Sequence, residues 1–173
     1  MSWLTWDDVA PTRSKNSATA GLLAHARART SELPAVSSRH RVHTAAATAR
    51  GAATEIAAGE PVEIAWRFYV LQSIDYYNSA YRRGGPSLAA EVFTEEPQLT
   101  GSSAIDASYA AVAEYLAHRD GWEPPAWVHD EHRTVTHWIA DQPPMFHQRA
   151  FEESPAEFRA RGIFTTLAGL SRA

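Results

Sequence analysis

At 173 residues, with 45 % apolar and 21 % charged side chains, the chain is long enough for one domain with a real core and has an ordinary globular composition. It contains no cysteine, which excludes disulfides, thiol nucleophiles and thiolate metal sites. No apolar run approaches the roughly 20 residues of a membrane span, and the acidic start MSWLTWDDVAP does not read as a signal peptide. The expectation is a cytoplasmic protein without membrane contact.

The net charge of −4 is unevenly spread. Between Ala10 and Arg50 the basic residues Arg13, Lys15, Arg27, Arg29, Arg39, Arg41 and Arg50 face a single acid, Glu32, and the remainder is acidic overall. A basic segment joined to an acidic body suits contact with nucleic acid or an acidic partner, and equally suits attraction between the two parts.

Residues 1 to 16, with Trp3 and Trp6, read as an arm, and 17 to 173 as a single helical domain. A first helix is expected over 17 to 32, ended by Pro34. An alanine-rich helix follows over 38 to 58, with Val42, Ala45, Ala46, Ala49, Ala53 and Ile56 at three- and four-residue spacing. Gly59 stops it and Pro61 suits the first turn of the next. That next helix, residues 61 to 83, is apolar on nearly all sides and is expected to be central. Asp75 stands out on it: a carboxylate on an apolar helix is paired or functional. Gly84 and Gly85 end it, helped by Arg82 and Arg83. A short helix over 87 to 94 follows. Another starts at Ser103, with Asp106 completing a capping-box variant, and stops at Gly121.

The stretch DGWEPPAWVHDEHRTVTHW, residues 120 to 138, is too rich in proline for a long helix. Its histidines, His129, His132 and His137, could offer metal ligands, but their spacing matches no strong signature and H-E-x-x-H is absent. Within it, Arg133 to Ile139 alternates like a strand, as one isolated run. Ser154, Pro155 and Glu157 form a helix start, Gly162 ends that helix, and 165 to 171 suit one more short turn. The fold class expected is all-α: an irregular helical bundle around the helix of 61 to 83, with a proline- and tryptophan-rich loop.

That loop reads best as an ordered segment whose rings leave faces for a partner. Tryptophan, tyrosine and arginine dominate interface energetics, so the expected partner-binding residues are Trp127, Trp122, Arg82, Arg83 and Tyr81. Trp122, directly after the helix-ending glycine, is expected to fold back on the core. Trp127, beyond the stiff prolines, is expected at the interface.

The run AVAEYLAHRDGWEPPAWVHDEHRT and the closing AFEESPAEFRARGIFTTLAGLSRA resemble the C-terminal module of a group of actinobacterial helix-turn-helix and antitoxin-like proteins. The likeness covers roughly residues 105 to 173. It rests on G-W-x-x-P-A-W and E-S-P-A-x-F-R-x-R-G-I-F, that is on Trp122, Pro125, Trp127, Ser154, Pro155, Phe158, Arg159, Arg161, Gly162, Ile163 and Phe164. It implies a structural role for these residues and a protein partner such as a toxin. The N-terminal part shows no clear helix-turn-helix, so DNA reading is not carried over.

The expected function is a non-enzymatic protein-binding or regulatory module, antitoxin-like, without catalytic residues, cofactor or metal, whose partner is a protein, a toxin or a second copy. One alternative is a regulator binding nucleic acid weakly through Arg27, Arg29, Arg39 and Arg41. Another is a metal-assisted or acid–base enzyme using His129, His132, His137 and Asp75.

Overall fold

The computed structural model describes residues 42–140 and 143–171. The expected arm, the helix over 17 to 32 and Arg27, Arg29, Arg39 and Arg41 lie outside the described residues. The chain divides into two units, 1–40 and 41–173, and the described residues belong to the second.

Helix α1, Ala45–Ala57, starts later than the expected residue 38. Residues 42–44 are not helical, because Thr44 takes the N-cap: its backbone is extended and its hydroxyl accepts from the amide of Ala47 at 3.2 Å. One face of α1 is nearly all small residues, with Ala45, Ala49 and Ala52 fully buried. Helix α2, Val62–Ala65, runs into a π-helical turn, Trp66–Val70, and on into α3, Leu71–Ala90. Gly84 and Gly85 break α3 as expected. Gly85 sits at φ 70°, ψ −167°, a conformation open in practice only to glycine, and Pro86 begins the second piece. The turn Glu91–Phe93 is 3-10 helix.

Helix α4, Ser103–Asp120, is the most enclosed: twelve of its eighteen residues are buried. It is buried on most sides, whereas the π-helical turn and α3 leave Phe68 and Tyr81 at the surface. Alanines at 104, 107, 110, 111, 113 and 117 let its neighbours approach closely, as dense interior packing demands. Tyr109 donates its hydroxyl hydrogen to Thr48 Oγ1 at 3.0 Å, tying α4 to α1. The start of α4 differs from a capping box. Asp106 Oδ1 accepts from the amide and the hydroxyl of Thr100, both at 2.8 Å, so the carboxylate holds the preceding loop instead. Gly121 ends α4; its amide and that of Trp122 both donate to the carbonyl of Ala117.

Beyond α4 come a 3-10 turn, Ala126–His129, and strand β1, Trp138–Ile139. A second 3-10 turn, Pro144–Phe146, leads into α5, His147–Glu153, which the sequence pattern did not announce. One turn of α6, Ala156–Arg159, and strand β2, Ile163–Phe164, follow, and Ala168–Leu170 is 3-10. The alternating run therefore has a partner: Trp138 pairs with Ile163 and Ile139 with Phe164, in parallel. Trp66 meets Trp138 edge-on at 5.6 Å, which seats this ladder on the π-turn. The fold of the described residues is thus helix-dominated, the expected all-α class, with one two-residue ladder. Among them, no helix is long and apolar enough to cross a membrane.

Candidate functional site

Two buried arginines order the proline- and tryptophan-rich stretch. Arg161, on the turn after α6, donates to Glu114 Oε2 of α4, to the carbonyl of Glu157 at 3.1 Å and to the carbonyl of Val128 at 2.7 Å. Arg133 donates to Glu96 Oε1 at 3.1 Å and to the Pro97 carbonyl, and its guanidinium lies 4.9 Å from the centre of the Trp127 ring. The residues that carried the resemblance are thereby joined: Arg161 of the closing motif holds Val128, one residue beyond the other motif.

Trp127 is placed differently from the expectation. Its ring is 8 % exposed and its indole N–H donates to the carbonyl of Phe93 at 3.0 Å. The prolines do not project it outward; the 3-10 turn that follows them folds it inward, between Phe93 and Arg133. Trp122 is the ring with surface left. It is partly buried, 6.4 Å from Phe93 and 6.1 Å from Tyr77 between ring centres.

Around Trp122 the side chains form a directional chain. Trp122 Nε1–H donates to Tyr77 Oη at 2.8 Å, and the Tyr77 hydroxyl donates to Asp120 Oδ2 at 2.6 Å. Asp120 also takes a bidentate fork from Arg119, Nε to Oδ1 at 3.0 Å and Nη2 to Oδ2 at 2.7 Å. Those bonds, Arg119's first, hold the pKa of Asp120 below its ordinary value and keep the carboxylate ionised. Burial, then the bond to Asp120, raises the pKa of the Tyr77 phenol, so it stays protonated and remains a donor. Arg119 also reaches Asn78 Oδ1 at 3.4 Å and lies over the Tyr77 ring at 5.7 Å. Nothing in the sequence pairs Tyr77 with Asp120, 43 residues apart. The available signal was an aspartate directly before a helix-ending Gly-Trp.

Tyr81 is 40 % exposed and 6.3 Å from Tyr77, one helical turn along α3. Arg82 and Arg83 are exposed beside it, and Arg83 Nε donates to the Ser79 carbonyl at 3.2 Å. Of the five expected partner-binding residues, Tyr81 and Trp122 both pack on Tyr77, Arg82 follows Tyr81 on α3, Arg83 turns back to the Ser79 carbonyl on another side of that helix, and Trp127 is buried behind Phe93. The face can bind by stacking and by charge.

The residues of the enzyme alternative are not brought together. His129 Nδ1 is 4.0 Å from Glu114 Oε1, His132 Nδ1 is 2.9 Å from Asp130 Oδ1, and His137 packs against Phe151 and Phe164. Asp75 is partly buried on α3 and has a partner of its own. Among the described residues no group of three or more histidines and carboxylates could hold a metal ion. Glu114, His129, Asp130, Glu131 and Arg161 do line an open depression of about 280 Å³. No protein-family model, curated protein or solved structure matches the chain.

Proposed function

We propose that this chain is a non-enzymatic protein-binding module, antitoxin-like in the sense its two C-terminal motifs imply, and that it holds a protein partner on the face around Trp122 and Tyr81. The observation that carries this reading is the chain of bonds from Trp122 through Tyr77 to Asp120 and Arg119. It holds a partly exposed indole in one orientation before any partner arrives. Pre-ordered aromatic and arginine side chains lose little freedom on binding, and such residues supply most interface energy.

The test is co-expression of the full chain with the products of the genes that adjoin its own, followed by gel filtration. A stable complex is expected, and Tyr81→Ala and Trp122→Ala should weaken it by about tenfold or more each while remaining folded. A neighbour that binds as well to both variants as to the parent would overturn the assignment of this face. Failure of every neighbour to bind would overturn the module reading.

A further inference from the structure

The arginines of the described residues are mostly neutralised. Arg50, Arg119, Arg133, Arg149 and Arg161 lie on Glu95, Asp120, Glu96, Glu153 and Glu114 respectively. Arg82 and Arg83 are the exception at the face just described: both are exposed, and neither has a carboxylate at ion-pair distance among the described residues. Two adjacent unneutralised guanidinium groups are conspicuous on a body in which residues 42–173 carry ten arginines against seventeen acids.

Helical spacing says where one of them lies. Side chains four apart share a face. Arg82 stands one turn beyond Asn78, which Arg119 Nη2 contacts, and Tyr81 one turn beyond Tyr77. Arg82 therefore lies at the Asn78–Arg119 edge of the face that Tyr81 and Trp122 expose above the buried ring of Tyr77. The charge of Arg119 is spent on Asp120, and the N–H of Trp122 on Tyr77. What the face still offers is a cation at its rim, a phenol and the apolar part of an indole.

From this we infer the chemistry of the occupant, an inference that rests on the proposed function: an acidic protein segment, in which a carboxylate meets Arg82 and an adjacent apolar side chain covers Trp122 and Tyr81. A guanidinium binds a carboxylate with two parallel hydrogen bonds. Nucleic acid fits less well, because a phosphodiester backbone would bring a continuous row of negative charge onto a body with an excess of acids.

The experiment uses the full chain labelled with nitrogen-15 and follows the indole N–H signal of Trp122, assigned by its loss in Trp122→Phe. The probes are a peptide carrying one glutamate next to one phenylalanine among neutral residues, the same peptide with lysine in place of glutamate, and a mixed-sequence DNA duplex. The expected result is a saturable shift with the acidic peptide alone. The double variant Arg82→Glu/Arg83→Glu, changed only at exposed positions, should bind that peptide about tenfold more weakly. Tyr77→Phe should displace the indole signal and weaken binding although every charge is kept, which a purely electrostatic contact would not show. A shift of equal size with the lysine peptide or the duplex would overturn the inference, as would undiminished acidic binding by the double variant. No response to the acidic peptide would overturn it too. The module reading fails separately, when no neighbouring gene product binds; a complex untouched by Arg82→Glu/Arg83→Glu sinks the acidic partner while leaving the module standing.

Discussion

The indole N–H of Trp127 donates to the carbonyl oxygen of Phe93 across 3.0 Å, with the ring of Trp127 under the guanidinium of Arg133. One side chain thus fastens the proline-rich stretch to the turn after α3 and supports the aromatic face from below. Trp127→Ala should cost about 3–5 kcal/mol, the usual loss for a large buried ring. Trp127→Phe keeps most of the packing but removes the donor to Phe93, at a cost of about 1–3 kcal/mol. Trp122→Ala, at a partly exposed ring, should cost less than Trp127→Ala. Chemical denaturation of the three variants checks this order, and equal losses at 122 and 127 would contradict the burial difference.

Arg161 and Glu114 form an ion pair whose side chains are 8 % and 16 % exposed. Removing one partner from such a pair strands a charge in a poorly hydrated place. Arg161→Met alone should destabilise by about 3–5 kcal/mol, and adding Glu114→Leu should recover part of that loss. The carbonyl of Val128 would still lack its donor, so recovery should be incomplete. A double-mutant cycle measures the coupling; strictly additive losses would mean that the two residues act independently.

Gly162 has φ 75°, and a Cβ added there would fall 1.9 Å from the carbonyl oxygen of Val135. No backbone atom can yield that much while the ladder of β1 and β2 stays paired. Gly162→Ala should therefore cost well over about 2 kcal/mol. Gly59, at φ 86° with open space around it, is the control, and Gly59→Ala should cost only about 1–2 kcal/mol. Thermal unfolding of the two variants separates a clash from a purely backbone penalty.

Tyr77 and Tyr109 have phenols whose pKa burial raises above the ordinary value near 10. In the unfolded chain both would ionise normally. Above about pH 10 the unfolded state therefore binds fewer protons than the folded one, and stability falls as pH rises. The contribution is complete below the unfolded value and is lost as pH climbs through the folded one. Absorbance at the tyrosinate band should show these phenols titrating late, together with unfolding. Tyr77→Phe should flatten the alkaline loss, and an unchanged alkaline profile in that variant would remove Tyr77 from this account.

Much of the local structure is decided within a few residues of chain. Gly59 and Pro61 separate α1 from α2, Gly121 ends α4, the Gly84–Gly85 pair breaks α3, and Ser154–Pro155 introduces α6, because turn and stop preferences are properties of the backbone at those positions. Helical periodicity likewise announces an all-α chain. What no short stretch contains is which surfaces meet. Trp122 and Trp127 look alike in sequence, and only the inward turn of Ala126–His129 sends the second beneath Phe93 and leaves the first at the surface. The run from Arg133 to Ile139 has no strand partner nearby; its partner, Ile163–Phe164, arrives after α5 and α6. The capping-box pattern of Ser103 and Asp106 is overridden because Thr100 offers two donors from the preceding loop. Histidines close in sequence are dispersed to Glu114, Asp130 and the Phe151–Phe164 cluster. Alanine on every side of α4 carries little amphipathic signal, so its depth becomes visible only once α1 and α3 close on it. The bonds from Trp122 to Tyr77 and Asp120 span more than forty residues, and it is the packing of α3 against the end of α4 that brings them within reach.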